Sequence, residues 1–96
     1  MKTVSTVEIE EATMKYILNG LNMTDREAAY DEIVRTLPLP PYFGRNLDAL
    51  WDVVSCMEGE IVLTNASAIS GYGETILELL KEAAGENNCL TLTIQA

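Results

Sequence analysis

Tyr42-Phe43-Gly44-Arg45-Asn46-Leu47-Asp48-Ala49-Leu50-Trp51-Asp52 is the stretch on which the reading of this chain turns. Asn46 is a good N-cap, because its short side chain accepts a backbone N–H that the first helical turn leaves unpaired. The helix it opens, LDALWDVVSCM, is expected to run from Leu47 towards Met57. At about 100° per residue, Leu47, Leu50, Trp51 and Val54 fall on one side, as a core face should. Asp48 and Asp52 fall together on another side, one turn apart. Like charges at that spacing repel by a few tenths of a kcal/mol, about ~0.2–0.5. Proximity to the helix amino terminus offsets part of that through the backbone dipole. Geometry alone leaves two readings of the pair. Asp48 is a first-turn acid and Asp52 a solvated surface residue, or the two meet a doubly basic surface such as one built to hold phosphates. A carboxylate can stand in for a phosphate oxygen before arginine and lysine donors.

Outward from this helix the chain is a series of short elements with clear punctuation. Residues 14–18, MKYIL, read as a strand closed by the turn dipeptide Asn19-Gly20. Thr24 and Glu27 have the spacing of a capping box. The helix they predict runs over 25–37 and turns Ala28, Ala29, Ile33, Val34 and Leu37 inward. Pro38-Leu39-Pro40-Pro41 stops it, since proline cannot continue the backbone ladder. Beyond the central helix, residues 60–64, EIVLT, read as a short buried strand. Residues 65–73 allow at most a short helix around Ala66–Ile69. Residues 74–84, ETILELLKEAA, predict an amphipathic helix with Ile76, Leu77, Leu79, Leu80, Ala83 and Ala84 inward and Gly85 as its carboxyl cap. Residues 89–94, CLTLTI, alternate as a closing strand. At the amino end, Val7 and Ile9 alternate with Glu8 and Glu10, which predicts an edge strand or extended arm. Strands separated by helices argue for a mainly parallel sheet in an α/β domain.

Bulk properties bound the function. Ninety-six residues hold one hydrophobic core, and 48% hydrophobic against 22% charged residues is an ordinary globular balance. Fifteen acids against six bases give a net charge of −9. Such a field repels nucleic acid and anionic membrane surfaces, so neither is an expected ligand, and it attracts a cationic protein. No apolar run is long enough for a membrane span or a secretory signal, so a cytoplasmic location is expected. Cys56 and Cys89 come with no CxxC pattern, and the chain has no histidine. Too few soft ligands are present for zinc, so the thiols are expected to be free, metal-free and mostly buried. No metal and no cofactor are expected. Enzyme chemistry also finds no foothold, since there is no Gly-rich phosphate loop and no nucleophile paired with a base.

The segment Tyr42 to Asp52 resembles the signature of the barstar family, an aromatic pair and a glycine followed by Asn-Leu-Asp-Ala-Leu-Trp-Asp. Lys81-Glu82-Ala83 resembles the family's last helix, and Cys89 with the closing strand fits as well. The similarity covers roughly residues 14–96, with 1–13 as an amino-terminal extension; it is specific for the fold and less so for the partner. The resemblance implies a three-stranded parallel sheet with helices packed on it, and the alternation at Val7 and Ile9 adds the expectation of an edge strand from the extension. It also implies an inhibitor, or immunity protein, that blocks the active-site cleft of a secreted, cationic ribonuclease. Carried over position by position, the partner-binding residues are Tyr42, Asn46, Asp48, Trp51, Asp52 and Glu82, with Asp52 as central anchor in the enzyme's phosphate pocket. The alternative is a barstar-like binding module for another toxin or a regulatory protein. Three departures stand out. Arg45 replaces an acid of the family's best-known member, the turn at residues 55–59 lacks a Gly-Trp pair, and the 65–73 connection is shortened.

Overall fold

The computed structural model describes residues 14–96. The edge strand expected from Val7 and Ile9 therefore lies outside the described residues. Strand β1 (Lys15–Asn19) leads through a 3-10 turn, Gly20–Asn22, into helix α1 (Arg26–Thr36). Helix α2 (Leu47–Val54), strand β2 (Gly59–Thr64), a second 3-10 turn (Ala66–Ala68), helix α3 (Tyr72–Glu86) and strand β3 (Leu90–Ile94) follow. The strands form one sheet in the order β1-β2-β3, with both pairings parallel. That is the expected α/β architecture with a three-stranded parallel sheet.

Strand alternation decides where the core lies. Leu18 pairs in register with Leu63, and Tyr16 with Ile61, which pairs in turn with Leu92. These side chains point to the face that Ala29, Tyr30, Ile33, Leu50, Val54, Ile76, Leu80 and Ala83 cover from the helices. Ile17, one residue out of phase, is 56% exposed on the opposite face. On that face Glu60 bridges strands, with Lys15 at 3.9 Å and the Thr93 hydroxyl hydrogen-bonded to its carboxylate.

Helix ends depart from expectation where a neighbouring residue offers better chemistry. Asp25, not Thr24, caps α1, its carboxylate accepting the Ala28 N–H at 2.9 Å. A charged acceptor at a helix amino terminus gains from the dipole as well as the hydrogen bond. Val34 is 46% exposed rather than inward, while Tyr30 and Glu32 are buried. Asn46 caps α2 as expected, but the helix stops at Val54, with Ser55 as C-cap. Helix α3 starts at Tyr72 and runs through Gly85. Its C-cap is Asn87, whose side-chain amide also donates to the Val54 and Met57 carbonyls at 3.1 and 2.8 Å. Asn87 thus finishes two helices, which Gly85 cannot do.

Cys56 and Cys89 are free, but both are exposed rather than buried. Cys56 lies in the turn after α2 and Cys89 just before β3, where Met57 and Leu90 take the inward positions instead. Gly20 is needed for a close approach, since a Cβ there would lie 2.3 Å from the Asn65 carbonyl oxygen.

Candidate functional site

The site is built around α2 and the loop that leads into it. After Pro40 and Pro41 the chain must turn back towards the core. It does so through Phe43, whose N–H donates to the Pro40 carbonyl at 3.1 Å and whose ring meets that of Tyr30 at 6.0 Å. Phe43 anchors the loop, and Tyr42 beside it is left 84% exposed. Arg45 takes a left-handed backbone conformation, φ 53. That bend brings the Asn46 side chain into position to cap: its Oδ1 accepts the Ala49 N–H at 2.8 Å, and its Nδ2 donates to the Gly44 carbonyl at 3.2 Å. The polar groups of Asn46 are therefore engaged in shaping the loop.

Helix α2 stands as a ridge between two concavities. Leu50 and Val54 sink into the core, and Trp51 is half-buried against it. On one flank Asp52 shares a depression of about 350 Å³ with Tyr42, Phe43, Ala49 and Val53. On the other, Asp48 and Trp51 face Glu78, Leu79 and Glu82 of α3 across a groove of about 360 Å³. The expected residues thus gather along one ridge but divide between its two sides: Tyr42 with Asp52, and Asp48 and Trp51 with Glu82. Both hollows include apolar wall, from Phe43, Ala49 and Val53 in the first and Leu47, Trp51 and Leu79 in the second. Glu78 lines the second groove and was missed; its spacing of one turn from Glu82 was the available signal.

The charge pattern separates the ridge from the rest of the surface. Among the described residues, Lys15 pairs with Glu60, Arg35 with Glu32, Lys81 with Glu78 at 3.5 Å, and Arg45 with Asp31 at 3.0 Å. Arg26 donates to the Arg45 carbonyl at 2.7 Å and lies over the rings of Tyr30 and Tyr72. Every described cation is thereby engaged by a group other than Asp48, Asp52 and Glu82, all of which are exposed. The described residues bring together no group of three or more Cys, Asp or Glu that could hold a metal ion.

Behind the loop lies an aromatic post. Tyr30 is fully buried, and its hydroxyl meets that of Tyr72 at 2.9 Å. Burial, and then the Tyr72 hydroxyl, push the Tyr30 phenol well above its ordinary value. It stays neutral and serves as a rigid support.

Residues 13–95 match the family model described as Barstar (barnase inhibitor). A protein of Bacillus subtilis (strain 168) named "Putative ribonuclease inhibitor YrdF" is 34% identical over 82 residues, covering 75% of this chain and 87% of that protein.

Proposed function

From the premise that this chain belongs to the barstar family, we propose that it inhibits a cationic ribonuclease, with α2 and its leading loop entering the enzyme's active-site cleft. The observation that carries this reading is the set of uncompensated carboxylates. Asp48, Asp52 and Glu82 are exposed, and among the described residues no Lys or Arg side-chain nitrogen lies within 4.0 Å of their carboxylate oxygens. A chain with net charge −9 that spends its described cations elsewhere keeps these acids for an external partner.

A ribonuclease cleft carries arginine and lysine to hold a phosphodiester. Asp52 offers those donors a carboxylate in place of a phosphate oxygen, and charge-assisted hydrogen bonds of this kind are about twice as strong as neutral ones. Tyr42 supplies exposed aromatic surface on the Asp52 side, and aromatic residues are favoured interface anchors. Asp48 and Glu82 flank Trp51, fitting a second basic side chain whose stem lies on the indole and whose charge meets the acids. The overall negative field steers a basic enzyme towards this ridge. Acting in the cytoplasm, such an inhibitor would silence the enzyme before its export. Among the described residues no helix is long and apolar enough to cross a membrane.

The deciding experiment titrates the protein into barnase and a panel of related basic ribonucleases while RNA cleavage is followed. Trp51, the chain's single tryptophan, gives a fluorescence signal for the complex. Stoichiometric inhibition that weakens with salt supports the reading. Unimpaired cleavage across the panel overturns it in favour of a different toxin or regulatory partner.

A further inference from the structure

A positive charge in the loop of an acidic inhibitor looks misplaced, since it should repel a cationic partner. The structure shows where that charge goes. The Arg45 guanidinium turns back onto α1, with Nη2 3.0 Å from Asp31 Oδ1, 3.3 Å from the Glu27 carbonyl and 4.0 Å from the Glu27 carboxylate. Arg26 of α1 reaches the opposite way and donates to the Arg45 carbonyl at 2.7 Å. Both approach the buried Tyr30 ring, the Arg26 guanidinium carbon at 5.3 Å and that of Arg45 at 5.9 Å from its centroid. Each arginine thus grips the element that carries the other, beside one aromatic post.

This double clasp sits where the backbone has most need of it. Arg45 holds a positive φ of 53, a region uncommon for any residue but glycine. The same bend sets Asn46 to cap α2 and turns Tyr42 outward. A loop held in one shape before association loses less freedom on binding, and that saving appears as affinity. We propose that Arg26 and Arg45 are positioning residues, which clamp residues 42–46 onto α1 and so pre-form the partner-binding surface. The inference rests on the ribonuclease-inhibitor reading above and adds residues on α1 that lie behind the contact ridge.

The test uses the full chain, with barnase as the probe, and the variants Arg26→Gln, Asp31→Asn, Arg45→Gln and the Asp31→Asn/Arg45→Gln double. The clamp predicts that each single variant binds barnase about 10-fold more weakly. The double should be no more than about twofold worse than either single, because both remove one contact. Hydrogen exchange supplies the second arm. The amides of Phe43 and Ala49, bonded to Pro40 O and Asn46 Oδ1, should exchange about 10-fold faster, with those of Ile61 and Leu63 unchanged. Simple charge repulsion predicts the opposite sign for both arginine singles: Arg26→Gln and Arg45→Gln would bind more tightly. Tighter binding, or additive losses, overturns the clamp. If the wild-type protein does not bind barnase, it is the inhibitor reading that fails for this enzyme. The exchange arm then decides alone, and unchanged Phe43 and Ala49 rates sink the clamp as well.

Discussion

The carboxylate of Glu32, on α1, accepts the backbone N–H of Asn19 at 2.8 Å at the end of β1. Its other oxygen takes the Asn22 side-chain amide at 3.0 Å and the Arg35 guanidinium. Glu32 is 4% exposed and ties the first strand, its turn and the first helix together. Burial pushes its carboxyl up, but the Asn19 N–H, the Asn22 amide and Arg35 together hold it below its ordinary value of 4.5.

A folded-state value below the unfolded one means that ionised Glu32 stabilises the protein above the ordinary carboxylate range. That contribution is lost as pH falls through the folded-state value. Urea unfolding followed from pH 7 down to about 3 should show a gap between wild type and Glu32→Gln that is widest near neutrality and closes in acid. At neutral pH the gap should be about 1.5–3 kcal/mol, the scale of hydrogen bonds to a charged group. A constant gap across the whole range would show that Glu32 does not titrate with folding.

Asp52→Ala separates binding from stability. Asp52 is exposed, and among the described residues its side chain has no ion pair or hydrogen bond to lose. Alanine also removes a like charge one turn from Asp48 and raises helix propensity. Thermal melting should therefore hold or rise slightly. Binding to a ribonuclease should weaken by more than about 2 kcal/mol, the scale of an interface hot spot. A lower melting temperature with unchanged inhibition would make Asp52 a structural residue.

The two thiols should react in the folded protein. Cys56 and Cys89 are free and exposed, so a chromogenic disulfide reagent should titrate two groups per chain without denaturant. Both sit on exposed turns, so the reagent should reach them without any opening of the fold. Titration only after addition of urea would contradict the exposed placement.

Asn87→Ala should destabilise the fold by about 2 kcal/mol. Its amide donates to both Val54 and Met57 carbonyls, and each net hydrogen bond is worth about 1 kcal/mol. Asn87→Asp keeps the shape and the cap to the Cys89 N–H but replaces the donor by an acceptor, so it should cost at least as much. Urea midpoints of the two variants test this. A surface residue would lose less than about 0.5 kcal/mol in either case.

The sheet and the central helix were legible because their signals are local. Alternation marks β1 and β3, the apolar run marks β2, and Asn46 with the Leu47, Leu50, Trp51 and Val54 stripe marks α2. What escaped the sequence depends on side chains that reach across the fold. No local pattern marks Glu32 on α1 until β1 ends beside it and presents the Asn19 N–H. Tyr30 reads as one more helical aromatic until Tyr72, far along the chain, meets its hydroxyl. Arg45 reads only as a departure from the family's acid until α1 presents Glu27 and Asp31 behind it. Cys56 and Cys89 look like core thiols by composition, yet the turns that hold them give Met57 and Leu90 the inward places. Asp48 and Asp52 share a helix face by spacing, while the division of that face between two hollows needs the loop and α3 in place.

The parallel sheet has a consequence for how the molecule comes into being. Among the described residues no strand meets its partner through a hairpin: Ile17 waits for Val62, and Ile61 for Leu92. Each pairing closes a long loop before it returns any contact, which places folding in a slower class than that of a helical bundle. The ridge of α2 is bounded on one side by α3 and latched by Asn87. A chain emerging from the ribosome would therefore hold α2 without its flanking helix and its latch until nearly all of the described residues have been made. The ridge proposed to meet the partner would then mature last, together with the closing strand.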